Sequence, residues 1–473
     1  MTKIKTDLLV IGGGSGGLSV AAGASQMGAK VVLLEGHKMG GDCLNYGCVP
    51  SKALIASGKA AHALRSGVPY GVAEATAHVN YAAAKDHVAE VIATIAPHDS
   101  VERFEGLGVH VIEEFGEFLN EREVKAGEHV IQARRVVIST GSSPFVPPIP
   151  GLDQVTYYTN ENIFDLRDQP EHLIIIGGGP IGMEMAQAHV RLGSKVTVLE
   201  GAKALGKDDP EIAAIALDKI RGEGVDIVEG ALVDRIDPEG DQIKVTDKEG
   251  RSWTGSHLLM AVGRKANLDK LALDKAGIET TRTGIKVDAG LKTSNKRVFA
   301  IGDAAGGLQF THKAGYDAGI VIRNALFGLP AKASDAHIPW ATYTDPEIAQ
   351  VGLTEAQAKK QHGSHALEVL RFEFGENDRA VAEKKTTGMV KVMVVKGRPV
   401  GTSMVGPMAG ELIQPWALLI ANKLKIGAMT AMVAPYPTLG EINKRVAGQY
   451  YVPRLFQNDR VKKIVGLVQK YLP

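Results

Sequence analysis

The chain has 473 residues, too many for one hydrophobic core, and its 44% hydrophobic and 23% charged residues are those of a globular protein with about three domains. Its net charge of +1 gives no electrostatic reason to expect binding to nucleic acid or to an anionic membrane surface. The 55 glycines are many for a globular protein and indicate tight turns and close approaches of the backbone to a ligand.

The first residues run directly into an apolar strand pattern, M-T-K-I-K-T-D-L-L-V-I. They contain neither the charged-then-apolar segment nor the small-residue cleavage site of a secretory signal, and we therefore expect a cytoplasmic protein. The best candidate for a membrane span, residues 416–421, is far shorter than the ~20 residues that cross a bilayer.

Residues 8–17 read L-L-V-I-G-G-G-S-G-G, an apolar strand followed by a glycine turn that opens a helix. Gly12 allows the tight turn, Gly14 lets the backbone approach a pyrophosphate at the helix N-terminus, and Gly17 lets the helix pack closely on the strand. A second apolar strand ends at Glu35, about 18 residues after the third glycine, where a carboxylate accepts hydrogen bonds from a ribose. This pattern predicts a dinucleotide-binding unit.

The two cysteines of the chain, Cys43 and Cys48, follow closely in the segment G-G-D-C-L-N-Y-G-C-V-P-S-K. In a reducing compartment such a pair is catalytic or binds a metal. Zinc needs about four ligands, and no second cysteine pair or His-x-x-x-His run accompanies this one, so we predict no metal site. A buried structural pair would not need such a glycine-rich frame, and the pair is therefore predicted to be redox-active.

The first unit recurs at one constant spacing as L-I-I-I-G-G-G-P-I-G, residues 173–182. Gly177, Gly179 and Gly182 correspond to the three glycines of the first unit, and Glu200 corresponds to its acid. The alternative is that both glycine turns serve packing alone. Because each turn follows a strand, opens a helix and precedes an acid, we favour two dinucleotide sites with electrons passing between them.

Proline-rich or broken segments at residues 144–151 and 329–339 mark the expected domain boundaries. Beyond them, alternation at residues 388–395 predicts an antiparallel sheet, and helical patterns cover residues 410–424 and 440–448. This third segment contains no nucleotide motif of its own.

Three further segments are V-I-S-T-G-S-S-P at residues 137–144, M-A-V-G-R at residues 260–264 and A-I-G-D-A-A at residues 300–305. Together with the cysteine segment and both glycine motifs, they make the whole chain resemble the pyridine nucleotide-disulfide oxidoreductases, which include lipoamide dehydrogenase, glutathione reductase and mercuric reductase. The resemblance implies an α/β fold with two Rossmann-like dinucleotide-binding domains and a C-terminal α+β dimerisation domain. The implied domains are FAD-binding (1–150 and 271–336), NAD(P)-binding (151–270) and dimerisation (337–473).

By this resemblance the first unit binds FAD and the second binds a nicotinamide dinucleotide. Cys48 would lie against the flavin as a thiolate, and Cys43 would be the interchange thiol that faces the substrate. Lys52 matches the family lysine near the flavin, and Glu184 matches its acidic partner beside the nicotinamide, although both could instead form an ordinary surface ion pair. Further cofactor contacts are implied for Thr140, Gly141, Gly263, Asp303 on the ribityl chain and His312, which belongs to T-H-K-A-G-Y-D-A-G.

Glu200 stands where relatives that use NADP carry an arginine for the 2′-phosphate. A carboxylate repels that phosphate, and NADH is therefore the expected reductant. Lys203 lies near enough in sequence to allow the use of NADPH.

The chain departs from the family at P-Y-P-T-L-G-E, residues 435–441. Lipoamide dehydrogenase and glutathione reductase carry a histidine where this chain has Tyr436, and Glu441 keeps the place of the acid that orients that histidine. In the family this histidine comes from the second subunit of a homodimer and moves the thiol proton. A phenol with a pKa of ~10 is a poor base at neutral pH, although it can donate a hydrogen bond or contact a metal, so we expect poor oxidation of dihydrolipoamide. The alternative is that Tyr436 only fills an interface in a degenerate site.

These observations predict a homodimeric FAD enzyme that passes electrons from NADH through flavin and the Cys43–Cys48 disulfide to a small oxidised acceptor. The acceptor is expected to be a small disulfide, a soft metal ion such as Hg(II) or a reactive oxidant. The second cysteine pair near the C-terminus of mercuric reductase is missing here. Two alternatives stay open: a dihydrolipoamide dehydrogenase with tyrosine in place of histidine, and a partner-docked redox subunit with little activity alone.

The last residues form an apolar stripe at helical spacing, surrounded by lysine and arginine. We expect a terminal helix that packs on the dimer itself, and docking to a membrane surface or a membrane protein is the less favoured alternative. The stripe comprises Val461, Ile464, Val465, Val468 and Leu472.

Overall fold

In the computed structural model, which describes residues 2–472, the first glycine turn joins a buried parallel strand to a helix. The last four residues of that strand, Leu8, Leu9, Val10 and Ile11, are at most 3% exposed, because strands lie on both sides, helices cover one face, and residues 117–126 and 271–285 cover the other. The elements of this part are β1 (Thr2–Ile11), α1 (Ser15–Gln26), β2 (Val31–Leu34), α2 (Gly41–Asn45), α3 (Cys48–Ala63), α4 (Tyr81–Ile95), α5 (Val101–Gly106), β3 (Val109–Ile112), β4 (Glu117–Phe118), β5 (Glu123–Ala126), β6 (His129–Ile138) and β7 (Ser142–Pro144).

The second glycine turn follows β8, one of the two central strands of a four-stranded parallel sheet with the order β10-β9-β8-β14. A three-stranded antiparallel sheet of β11, β12 and β13 packs beside it. The elements are β8 (His172–Ile176), α6 (Pro180–Arg191), β9 (Lys195–Glu200), α7 (Pro210–Gly222), β10 (Asp226–Glu229), β11 (Val233–Glu239), β12 (Gln242–Asp247), β13 (Ser252–Gly255), β14 (His257–Met260) and β15 (Arg264–Ala266).

After this unit the chain returns to the first sheet. The strand β16 (Val298–Ala300) pairs in parallel with β6, and α8 (Thr311–Ala325) packs against α1. The first sheet therefore contains strands from both sides of the second unit, with the order β3-β2-β1-β6 and then either β5-β4 or β16. The residue numbers of the domain boundaries stay predictions.

The third part is a five-stranded antiparallel sheet with the order β17-β18-β21-β20-β19, and Trp416 lies fully buried in its core. Its elements are β17 (Pro339–Thr342), β18 (Glu347–Gly352), α9 (Glu355–His362), β19 (Leu367–Glu373), α10 (Asp378–Ala382), β20 (Met389–Val395), β21 (Arg398–Gly406), α11 (Ala409–Leu412), α12 (Gln414–Ala421), α13 (Gly427–Ala431), α14 (Glu441–Gln449) and α15 (Asp459–Tyr471).

One predicted helix differs from the structure. Instead of one helix over residues 410–424, the chain forms α11 and α12, because Pro415 lacks the N–H that a continuous helix would need. The terminal helix α15 is present. Ile464, Val465 and Val468 are exposed along it in the single chain, and Leu472, the residue after its end, is also exposed. Within residues 2–472, no helix combines the length and the apolar character needed to cross a bilayer.

Candidate active site

The first glycine turn has the geometry of a pyrophosphate cradle. Gly12 has φ +109°, and a Cβ on Gly17 would lie 1.9 Å from the Gly12 carbonyl oxygen, so a side chain at Gly17 would separate α1 from β1. A Cβ on Gly14 would meet nothing closer than 3.9 Å, so the approach to the N-terminus of α1 is open. Glu35 accepts hydrogen bonds from the Gly13 and His37 N–H groups at 2.6 and 2.7 Å. These residues fit a dinucleotide.

The second turn repeats this geometry closely. Gly177 has φ +113°, a Cβ on Gly182 would lie 2.0 Å from the Gly177 carbonyl oxygen, and a Cβ on Gly179 would meet no atom within 4 Å. Glu200 accepts hydrogen bonds from the N–H groups of Gly178 and Ala202 at 2.7 and 2.8 Å. Two matching sites for dinucleotides therefore exist in one chain.

Cys48 begins α3, and Cys43 lies on the preceding short helix α2. Both are free thiols, which is the reduced form of the pair, and Cys48 is exposed whereas Cys43 is half-buried. The Cys48 sulfur lies 3.6 Å from the hydroxyl oxygen of Thr311, the first residue of α8. The Cys48 sulfur therefore lies where the N-termini of α3 and α8 meet, and a negative charge is stabilised at such a position.

The two sulfurs have opposite acidities. A hydrogen bond from the Cys43 thiol, helped by Thr311 and the positive charge of Lys52, lowers the pKa of Cys48 to about 6. The same interaction with Cys48, together with burial, raises the pKa of Cys43 above its usual value. At neutral pH the reduced pair is therefore one thiolate, at Cys48, and one thiol, at Cys43.

The predicted pair of Lys52 and Glu184 is formed. The Lys52 ammonium lies 2.6 Å from a Glu184 carboxylate oxygen, and Glu184 is only 5% exposed. The other Glu184 oxygen accepts the Tyr343 N–H at 2.8 Å, and the Lys52 ammonium lies 4.5 Å from the centre of the Tyr343 ring. Because Lys52 is one turn after Cys48 and Glu184 is on α6, this pair connects the cysteine helix to the second dinucleotide unit.

Asp303 lies at the start of a 3-10 turn after β16, where burial raises the pKa of its carboxyl. It accepts a hydrogen bond of 2.5 Å from the Ser142 hydroxyl, which in turn accepts one from Arg264. Arg264 also pairs with Asp42, the residue before Cys43, at 2.9 Å. This chain of contacts connects the expected ribityl contact to the cysteine segment. The sequence reasoning missed Asp42, Ser142 and Arg264 as site residues.

The remaining predicted cofactor contacts surround the same region. Gly141 and Gly263 have φ +68° and +139°, and a Cβ on either would meet no atom within 4 Å. The hydroxyl of Thr140 donates to the Asn267 carbonyl at 2.7 Å. His312 follows Thr311 on α8, and its Nε2 lies 2.6 Å from the Pro339 carbonyl oxygen, which holds the ring against β17.

Tyr436 and Glu441 lie apart from the cysteines within one chain. Tyr436 is 69% exposed, and its hydroxyl donates to Asp378 at 3.0 Å, which raises the pKa of the phenol. Glu441 begins α14. Neither residue hydrogen-bonds to Cys43 or Cys48 in the single chain. Over residues 2–472, no group of three or more His, Cys, Asp or Glu side chains is placed to hold a metal ion.

The unequal acidities predict unequal alkylation of the reduced protein by iodoacetamide. Because the thiolate is the nucleophile, Cys48 should react with a half-maximal rate near pH 6, and Cys43 should react only at much higher pH. Peptide mass spectrometry after timed quenching measures both rates. The Lys52→Met variant should shift the Cys48 profile to higher pH, whereas Lys59→Met, on the same helix, should not. Equal profiles for the two cysteines would contradict the assignment.

Comparison with known proteins gives two matches, one to a protein family and one to the dimerisation domain of the same family. The pattern of the family "Pyridine nucleotide-disulphide oxidoreductase" matches residues 6–318, and the pattern of its dimerisation domain matches residues 338–447. The chain is 34% identical to mercuric reductase from Bacillus cereus over 442 residues, which cover 92% of this chain and 70% of that protein. It is 31% identical to dihydrolipoyl dehydrogenase from Bacillus subtilis (strain 168), with 92% and 96% covered.

A solved structure is similar over nearly the whole length. It is the Cu(II) complex of the HOCl-induced flavoprotein disulfide reductase RclA from Escherichia coli, with a TM-score of 0.84 and 27% sequence identity. The match covers 93% of this chain and 99% of that one.

Proposed function

Since the chain belongs to the pyridine nucleotide-disulphide oxidoreductase family, we propose that it uses NADH to reduce the Cys43–Cys48 disulfide and passes the electrons to a small oxidised acceptor. The predictions of an α/β flavoprotein disulfide oxidoreductase, of FAD and NAD(P)H as cofactors and of a homodimer are confirmed by this membership. Bound FAD supplies the two-electron transfer between the nicotinamide and the disulfide. The acceptor and the roles of individual residues belong to the proposal.

The observation that carries the proposal is the surroundings of Cys48. Its sulfur lies at the start of α3, next to the Thr311 hydroxyl, and Lys52 one turn later supports the negative charge. Reducing the disulfide to one thiolate and one thiol takes two electrons and one proton, which NADH supplies together as a hydride. These contacts support a product with a thiolate at Cys48 and a thiol at Cys43, since Lys52 stabilises negative charge at Cys48, whereas burial and the interaction with Cys48 raise the pKa of Cys43.

The second half of the site comes from the other subunit in this proposal. Tyr436 is exposed in a segment of the dimerisation domain, near the acids Asp378 and Glu441, and makes no contact with the cysteines of its own chain. Tyr436 of the partner subunit would then face Cys43. Its phenol, with a raised pKa, can donate a hydrogen bond at neutral pH but cannot act as a base.

A phenol at this place favours acceptors that need no histidine to move a proton. These are soft metal ions such as Hg(II), reactive oxidants and small disulfides with acidic leaving thiols. The name of one similar protein, mercuric reductase, agrees with the first class, and another similar protein is an HOCl-induced flavoprotein disulfide reductase solved as a Cu(II) complex.

An anaerobic acceptor panel tests the proposal. The FAD-loaded dimer with NADH should reduce Hg(II) with a thiol ligand, hypochlorite-derived disulfides or a small aromatic disulfide much faster than it oxidises dihydrolipoamide with NAD⁺. If dihydrolipoamide oxidation with NAD⁺ is as fast as acceptor reduction with NADH, the dehydrogenase alternative is favoured. The 31% identity to dihydrolipoyl dehydrogenase supports that alternative.

A partner-docked redox subunit is the remaining candidate, and the exposed apolar side chains of α15 favour it. Such a subunit would reduce its flavin with NADH but turn over no small acceptor alone. Removing the residues after Tyr451 would leave the reduction of the flavin by NADH unchanged if α15 is only a docking segment.

The choice between NADH and NADPH gives a separate prediction. Because Glu200 is the acid expected to contact the ribose, Glu200→Gln should raise the efficiency ratio of NADPH over NADH about tenfold, by removing one repulsive charge. The matched control is Glu35→Gln, since Glu35 makes the same two backbone contacts in the other unit. The kcat/KM for each nucleotide, measured with saturating FAD, should show no change of preference in the control. If the ratio of kcat/KM for NADPH over NADH is unchanged in Glu200→Gln, Glu200 does not determine the choice of nucleotide.

A further inference from the structure

One edge of β6 has a gap between two partner strands. β5 pairs with β6 as far as Gln132, and β16 begins to pair at Val136, so residues 133–135 have neither strand beside them. A surface depression of about 250 Å³ lies at this gap. It is lined by Lys5, Thr6, Arg122, Gln132, Ala133, Arg134 and Arg297.

The depression is strongly cationic although the whole chain carries only +1. Its four charged lining residues come from four places in the chain: β1, the turn before β5, β6 itself and the residue before β16. A fifth cation adjoins them, since Arg135 donates a hydrogen bond of 3.0 Å to the Arg134 carbonyl. No carboxylate lines the depression.

These five cations have no ion-pair partner among residues 2–472. Across the part that the structure describes, none of them forms an ion pair within 4.0 Å, whereas arginines such as Arg191 and Arg371 are paired. The pKa of Arg135 is lowered by burial and then by the charges of Arg134 and Arg297. Like charges held together raise the free energy of the folded protein unless an anion binds between them.

The depression is separate from both dinucleotide sites. Those sites lie at the carboxyl ends of the parallel strands, and Gly12 follows the last residue of β1. Lys5 lies near the other end of the same strand, roughly 20 Å away at the rise of an extended chain. The cofactors of the family therefore do not occupy this depression.

We propose that this cationic depression binds a small, multiply charged phosphate anion, for which inorganic pyrophosphate is the probe. Guanidinium groups present paired N–H donors that match phosphate oxygens, and arginines from three segments surround the gap. The volume is below the roughly 300–1000 Å³ of sites for drug-sized ligands and suits one or two phosphate groups. An anion there neutralises charges that the protein leaves unpaired.

Titration calorimetry of the FAD-loaded dimer with pyrophosphate, at saturating NAD⁺, tests this site. One pyrophosphate should bind per subunit, more weakly as salt rises. The double variant Arg134→Gln/Arg297→Gln should bind about tenfold more weakly or worse, and the exposed Arg122→Gln should also weaken binding. Arg282→Gln is the matched control, since Arg282 is exposed but lies outside the depression.

The melting temperatures of all variants show whether each is folded. Absence of binding by the parent, or equal binding by the folded double variant, would overturn the proposal. Binding to phosphatidylcholine vesicles that contain phosphatidate, without binding of free pyrophosphate, would also overturn it and assign the cations to a lipid surface. Because NADH oxidation plays no part in this assay, its outcome does not depend on the acceptor of the enzyme.

Discussion

The Cys48→Ser variant should lose NADH-dependent reduction of every acceptor by about 1000-fold or more, since removal of a residue that reacts covalently costs at least this much. Serine cannot form the disulfide, and its hydroxyl stays protonated where the Cys48 sulfur has a pKa of about 6. Initial rates with NADH and a small aromatic disulfide measure the loss. The variant should still bind FAD and be reduced by NADH, because both glycine cradles are unchanged.

Cys43→Ser is the informative companion. It keeps the Cys48 sulfur, the Thr311 contact and Lys52, and the serine hydroxyl can donate in place of the Cys43 thiol, so a thiolate should persist at Cys48. A Cys48 thiolate beside oxidised flavin absorbs at long wavelength, and this band should persist in Cys43→Ser and be absent from Cys48→Ser. A band that persists in Cys48→Ser and is absent from Cys43→Ser would show that the roles of the two cysteines are exchanged.

The Tyr436→His variant should gain dihydrolipoamide oxidation with NAD⁺ by about 10²- to 10⁴-fold, which is the usual contribution of a placed general base. Imidazole titrates near neutral pH, whereas the pKa of the Tyr436 phenol is raised above its ordinary value by Asp378. Steady-state rates of NADH formation from dihydrolipoamide measure the gain. Tyr436→Phe, which removes the hydroxyl without adding a base, is the matched control and should show none.

Glu441 provides a second control for this gain. It begins α14, five residues after Tyr436, and is expected to orient an introduced histidine. The double variant Tyr436→His/Glu441→Gln should therefore lose part of the new activity. If Tyr436→His alone gains no lipoamide activity while folding and binding FAD, the tyrosine does not determine the acceptor.

Local sequence was enough to predict both glycine cradles. Each depends on a short segment in which a turn, a helix start and an acid follow one another, and the structure repeats the same contacts at Glu35 and Glu200. The pairing of Lys52 with Glu184 was also predictable, but only through the family resemblance, because 132 residues separate the two.

Other site residues could not be predicted from the sequence, because segments far apart in the chain bring them together. Tyr343 reaches Glu184 only through the packing of β17 against α6, and no local pattern marks it. Asp42 was visible as a charged residue beside Cys43, yet its partner Arg264 lies in another part of the chain. Tyr436 is exposed in the single chain, so its surroundings in the dimer depend on the second subunit.

The most direct test of the central claim is a count of thiols after anaerobic reduction. The air-oxidised dimer is mixed with one to two equivalents of NADH per subunit and quenched with acid. The unfolded protein is then alkylated anaerobically at alkaline pH and analysed by peptide mass spectrometry. The proposed function predicts that Cys43 and Cys48 are linked before NADH and that both are alkylated after it. Flavin reduced by NADH while the two cysteines stay linked, or cysteines that are already free and unaffected by NADH, would contradict it.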